Sequence, residues 1–198
     1  MKERFIGVVV AAVVCCLAGC DQEEVSSGDS ATEQFAPRFS VSDGRVKLDS
    51  VRMDAISADE PSSHPERFRV LRQLLEAREA TARYRDINRA IADGYADINV
   101  VVPHMGFHYL KAAYLDTVFD HRHPELLVYN RLPWDRHPRL VAVEYAVPLD
   151  LAENAPEGFA GDFDQWHRNE PYGLWTLHAW VWYPNPDGVF SELNQWVP

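Results

Sequence analysis

The chain has 198 residues, of which 46% are hydrophobic and 25% charged. These are globular values, and they exclude wholesale disorder, collagen-like repeats and a multi-pass membrane protein. A formal net charge of −11 makes nucleic acid an unsuitable partner.

Lys2 and Arg4 form a basic head, and the 14 residues Phe5 to Ala18 are almost wholly apolar. That is the layout of a secretory signal, and it falls short of the ~20 residues that span hydrocarbon as a helix. The next residues, Leu17-Ala18-Gly19-Cys20, resemble the lipobox of bacterial lipoproteins. The resemblance implies a signal peptide over residues 1–19, acylation of Cys20 with chains such as palmitate, and attachment of the exported domain to a lipid bilayer. Asp21 resembles the retention signal of enterobacterial lipoproteins, which implies the cell envelope and, with an outer membrane present, the periplasmic face of the inner one. Removal of 19 residues from 198 leaves 179, with 17 basic against 29 acidic residues. Cys15 and Cys16 leave with the signal and Cys20 is lipidated, so disulfides, cysteine nucleophiles and thiolate metal sites are not expected.

Residues 20–34 read as the lipidated cysteine and an acidic tether, with five carboxylates and no basic residue after Cys20. Within 35–62, Phe39, Val41, Val46 and Leu48 alternate with polar residues around Asp43-Gly44, which predicts a small hairpin docked at the edge of the domain, followed by a linker. The α+β domain begins at residue 63, where Ser63-His64-Pro65-Glu66 has the spacing of a capping box. Phe68, Leu71, Leu74, Leu75, Tyr84, Ile87, Ile91 and Tyr95 recur at intervals of three and four and predict one long amphipathic helix to about Ala96. Arg72, Arg78, Arg83, Arg85 and Arg89 are expected on its wet side.

Beyond that helix the hydrophobic period becomes two. Ile98 to Val102, Phe107 to Leu110, Leu126 to Asn130, Leu140 to Val147 and Trp175 to Tyr183 read as strands, and Asn185-Pro186-Asp187-Gly188 as a turn. Leu149 to Gly173 reads as loop. A helix followed by strands predicts an α+β fold with one long amphipathic helix packed on a mainly antiparallel β-sheet.

Neither GxGxxG, a Walker loop, Gly-x-Ser-x-Gly nor His-Glu-x-x-His occurs, so phosphate cradles, serine hydrolysis and zincin chemistry lack their usual residues. What remains is an imidazole and carboxylate set. Alternation places Thr176, His178, Trp180 and Trp182 on one face of the last strand, and Glu144 among small apolar residues on one face of its strand. His104 and His108 are four apart and share a face, with Gly106 between them leaving open space. If these strands are neighbours, His104, His108, Glu144 and His178 converge, their donor atoms within ~3 to 4 Å, on one divalent transition metal: zinc, iron, manganese or copper. A structural polar network accounts for the same residues, as does a metal-free pocket. Six tryptophans in the C-terminal third make a non-enzymatic binding module for a small ligand or sugar the alternative function, with Trp180 and Trp182 as its contacts. Asp162, Asp164 and Glu144 are a weaker, glycosidase-like arrangement. His121 and His123 read as a solvated turn, and His137 and His167 have no role.

The stretches MGFHY, PELLVYN, LVAVEYAVP and LHAWVWYPNPDGVF, within residues 103–190, resemble a family of uncharacterised exported bacterial proteins. No activity comes with the resemblance. It implies that His108, Glu144 and His178 belong together, with His104 just outside the matching piece.

Overall fold

The computed structural model describes residues 38–42, 45–49 and 65–198. The signal peptide, Cys20, the tether, the linker and the capping residue Ser63 lie outside the described residues. Strands β1 (Arg38–Ser42) and β2 (Arg45–Asp49) pair antiparallel, with Val41 opposite Val46. They form a two-stranded sheet of their own, with β1 beside the first helix, and add no edge to the main sheet.

Helix α1 runs over Pro65–Thr81 and buries Val70, Leu74, Ala77 and Thr81, a stripe at helical spacing. Phe68 and Leu75 stay exposed. The single helix predicted to Ala96 is broken, because three features turn the chain at Thr81. The Thr81 hydroxyl donates to the Ala77 carbonyl at 2.7 Å, a back-bond that competes with the helix ladder. A 3-10 turn, Ala82–Arg85, follows and brings Tyr84 inward, where its carbonyl accepts from the Tyr129 hydroxyl at 2.6 Å. Asp86 then caps a new helix, α2 (Ile87–Ala92), by accepting from the Asn88 amide at 3.0 Å. Arg78 also leaves the predicted wet side. It is stacked 4.0 Å from the Trp182 ring and donates to the Val181 carbonyl.

Six strands follow: β3 (Ala96–Val102), β4 (Gly106–Leu110), β5 (Leu126–Asn130), β6 (Arg139–Pro148), β7 (His167–Asn169) and β8 (Leu174–Ala179). All neighbouring pairs are antiparallel, in the order β3-β4-β5-β6-β8-β7. The fold is therefore α+β with an antiparallel sheet. Short β7, inside the stretch read as loop, adds an edge next to β8.

Register decides which residues share a face, because residues directly opposite point the same way. Leu127 opposite Val143, and Tyr145 opposite Leu177, lie in the buried cluster that includes Val70 and Leu74 of α1. The other face carries His108 opposite Val128, Leu126 opposite Glu144, and Glu144 opposite His178. Two irregularities bend the sheet over this second face. One lies in β3 between Asp97 and Val101, where Asn99 has φ of 56° and its amide is held by the Asp97 carboxylate at 2.7 Å. The other lies between Val128 and Tyr129. Bulges raise local twist and bend the strand, and here they curl β3 toward β8.

β8 ends at Ala179, four residues before the predicted limit. The Trp180 amide bonds across to the Val189 carbonyl at 2.8 Å, and the Val181 amide turns back to Ala179 at 2.8 Å, so strict alternation stops there. The turn expected at Asn185-Pro186-Asp187-Gly188 is closed by the Gly188 amide and Asn185 carbonyl at 3.1 Å, with Gly188 at φ 115°. Among the described residues no helix is long and apolar enough to cross a membrane.

Candidate metal centre

His108 from β4, Glu144 from β6 and His178 from β8 meet on the face of the sheet that points away from α1. Glu144 and His178 are cross-strand partners, so their approach follows from register alone. His108 reaches them across β5, where it is opposite Val128 while Glu144 is opposite Leu126. The Glu144 Oε2 atom lies 3.5 Å from His108 Nε2 and 3.5 Å from His178 Nε2. All three donor atoms lie within 4.8 Å of one another. The residues are 4%, 5% and 3% exposed, so water competes little for these atoms.

The hydrogen bonds around the group set its chemistry. His108 Nδ1 lies 3.1 Å from the Val100 carbonyl, which can only accept, so Nδ1 carries the proton and Nε2 presents a lone pair to the centre. A backbone carbonyl in that role is what orients ligating histidines in metal proteins. His178 Nε2 is buried and has no hydrogen-bond partner among the described residues. At 3.5 Å the imidazoles stand beyond ordinary hydrogen-bond distance from the carboxylate. The three groups thus point at a common position without bonding one another, and together they could hold a metal ion.

Burial controls the protonation of all three. It pushes the Glu144 carboxyl up to about 8, with Glu192 nearby adding to the rise. It depresses His178 to about 3, helped by His108 and His167, and it lowers His108. Neutral imidazoles are therefore available to a cation without loss of a proton, whereas Glu144 gives up its proton as a cation binds.

In the metal-free protein these shifts have opposite consequences for stability. The folded state holds the Glu144 proton between the ordinary carboxyl value of 4.5 and about 8, so this contribution falls as pH rises through that window. For His178 the unfolded state holds the extra proton between about 3 and 6.5, so that contribution rises with pH. The two offset each other up to 6.5, and above it only the loss remains. Glu125, also pushed up to about 8 by burial, adds to that loss. Urea titration of chelator-treated protein should show stability declining from pH 6.5 to 8, by at most about 1.4 kcal/mol per pH unit for each carboxyl. Glu144→Gln should remove its share of the slope. Stability that holds level or rises in the wild type across this window contradicts these assignments.

The other residues singled out in the sequence go elsewhere. His104, at φ 63° in the β3–β4 turn, places Nδ1 2.9 Å from the Val197 carbonyl, while its amide donates to Pro198 and its carbonyl accepts from Asn194. It holds the C-terminal segment to the turn and does not join the three donors. Gly106 leaves no open space between the histidines. It has φ of 135°, and a Cβ there would overlap the Tyr129 carbonyl. Trp180 is fully buried with its indole N–H on the Ser191 carbonyl at 2.7 Å. Trp182 packs against α1 and donates to the Thr81 hydroxyl at 3.0 Å. Neither lines the cavity beside the donors. Asp164 accepts from the Phe159 amide at 2.7 Å, and Phe159 packs on Tyr145, which leaves β6 on the face opposite Glu144. A glycosidase-like grouping of Asp162 and Asp164 with Glu144 is thereby lost. His121 and His123 pair with Glu76 at 2.8 Å and Asp120 at 2.7 Å, outside the centre.

Two residues near the centre had no signal in the sequence. His167, on three-residue β7, is opposite Thr176 and so shares the face of His178. Glu192 approaches it, Oε2 to Nδ1, at 3.9 Å from a segment without regular structure. A strand too short to show alternation and a carboxylate in irregular chain leave no periodicity to read. No family model, no curated protein and no solved structure matches the chain.

Proposed function

We propose that the chain is an exported, membrane-anchored lipoprotein whose α+β domain binds one divalent transition metal through His108, Glu144 and His178. The observation that carries the metal reading is the unpartnered Nε2 of buried His178, 3.5 Å from a buried carboxylate that is equally far from His108 Nε2. A purely structural network would bond these atoms to one another, because an unsatisfied buried polar atom costs about 1–3 kcal/mol. Two imidazoles and one carboxylate without thiolate suit zinc, iron, manganese or copper, and leave coordination positions free. His108 and Glu144 also form part of the wall of a cavity of ≈ 200 Å³, so those free positions have somewhere to face. When bound, such an ion supplies Lewis acidity at the cavity wall.

Metal content is the test. Protein purified without chelator or affinity tag should carry about one transition metal per chain, and His108→Ala and His178→Ala should each carry almost none. Sub-stoichiometric metal in the wild type, or full occupancy in both variants, would overturn the reading.

The anchoring reading is supported by the basic head, the short apolar run and Leu17-Ala18-Gly19-Cys20 in sequence. Cys20→Ala should abolish both acyl labelling and partition into the detergent phase. Labelling that persists in the variant would show that the anchor lies elsewhere or is absent.

A further inference from the structure

The cavity beside the three donors has a wall chemistry of its own. Ile98, Val100, Met105, Leu126 and Leu174 make its sides apolar, and the Tyr172 ring stands at its margin. Two acidic residues line it, the buried Glu144 within and Glu192 at the exposed edge, and neither lysine nor arginine is among the described lining residues. A dry apolar cavity of about 150 Å³ accepts one benzene ring, so ≈ 200 Å³ suits a single ring with a short substituent. Met105 and Tyr172 favour a ring over an aliphatic chain, through sulfur–aromatic and ring-edge contacts. With Glu192 as the anionic group at its edge and no basic side chain among the described lining residues, the cavity favours a cation over an anion.

We propose that this cavity binds a compact aromatic amine, its ring against Val100, Leu126 and Leu174 and its ammonium directed to Glu192. The proposal takes the metal centre as its setting, since the cavity shares His108 and Glu144 with it, but the binding event itself needs no metal. His167 Nδ1 lies 3.9 Å from the same Glu192 carboxylate, at the exposed edge of the cavity.

The test is isothermal titration of detergent-solubilised full-length protein, treated with chelator, against benzylamine, benzyl alcohol and benzoate. Benzylamine should bind at least about tenfold more tightly than benzoate, with benzyl alcohol between them. Glu192→Gln should weaken benzylamine by about three- to fivefold, the range of a partly exposed ion pair, and leave benzyl alcohol unchanged. Val100→Trp and Leu174→Trp, each filling the cavity from a different strand, should abolish binding of all three compounds while the near-ultraviolet circular dichroism remains that of a folded chain. Benzoate equal to benzylamine, no binding of any of the three to the wild type, or undiminished binding in a folded filled variant would each overturn the proposal. All these measurements are made without metal. Failure here with stoichiometric metal in the untreated protein rejects the ligand alone, whereas amine binding in a protein that never holds metal rejects the centre alone.

Discussion

Excess Zn²⁺ added to chelator-treated protein should raise its thermal midpoint by roughly 8 to 16 °C, and His178→Ala should remove that rise. The magnitude follows from mass action. A ligand that binds only the folded state and is present at a thousand times its dissociation constant stabilises by about 4 kcal/mol, and 1 kcal/mol is worth about 2–4 °C in a domain of 150–250 residues. The location follows from geometry. Among the described residues His178 Nε2 has no hydrogen-bond partner, and the Glu144 carboxyl beside it has both imidazoles at 3.5 Å, beyond ordinary hydrogen-bond distance. A cation satisfies all three groups together, and with His178 gone only two donors remain. The surface pairs of His121 with Glu76 and His123 with Asp120 stay intact in the variant, so any zinc they hold appears equally in both proteins. A shift of the same size in His178→Ala would place the stabilising ion outside the centre.

Gly106→Ala should destabilise the fold by about 3 kcal/mol and lower the midpoint by roughly 6 to 12 °C. Two costs combine at this position. The residue opens β4 at φ 135°, a conformation that only glycine adopts without strain. Its missing side chain is also what allows the Tyr129 carbonyl of β5 to approach. That close approach sets the separation of β4 and β5 two residues before His108, and hence the reach of His108 across β5 to Glu144. The variant should therefore lose zinc affinity as well as stability. Thermal melts with and without zinc measure both, and a change of less than about 0.5 kcal/mol, the scale of an ordinary surface substitution, would contradict this role for Gly106.

The parts of the site that were legible in sequence are those governed by parity. In β6 and β8 the alternation is regular through Glu144 and His178, and facing residues need only the correct register to meet, which the structure supplies directly. His108 is a different case. Parity assigns it a face but no distance, and its approach depends on β5 lying between β4 and β6 and on bends at Asn99 and Val128 that no hydrophobic pattern announces. Trp182 shows where parity misleads. The strand stops at Ala179 with the Trp180 ring still 6.2 Å from that of His178, the backbone bonds of Trp180 and Val181 redirect the chain, and Trp182 arrives over Arg78 on the other side of the sheet. His104 shared parity with His108 across Gly106, but its positive φ breaks the extended geometry on which that comparison rests. The helix is present, but its predicted extent to Ala96 is cut short for a related reason. Tyr84, Ile87, Ile91 and Tyr95 keep a helix-like spacing through a segment whose backbone is redirected by the Thr81 hydroxyl and restarted by the Asp86 cap. Hydrophobic period is insensitive to such local side-chain bonds.

The most direct measurement on the metal centre is anomalous diffraction from crystals grown with zinc, collected on either side of the zinc absorption edge. One strong anomalous peak is expected among β4, β6 and β8, within about 2.0–2.2 Å of His108 Nε2, a Glu144 carboxylate oxygen and His178 Nε2. Zinc found only at His121, His123 or other surface groups, with His178 Nε2 still unpartnered in the interior, would contradict it.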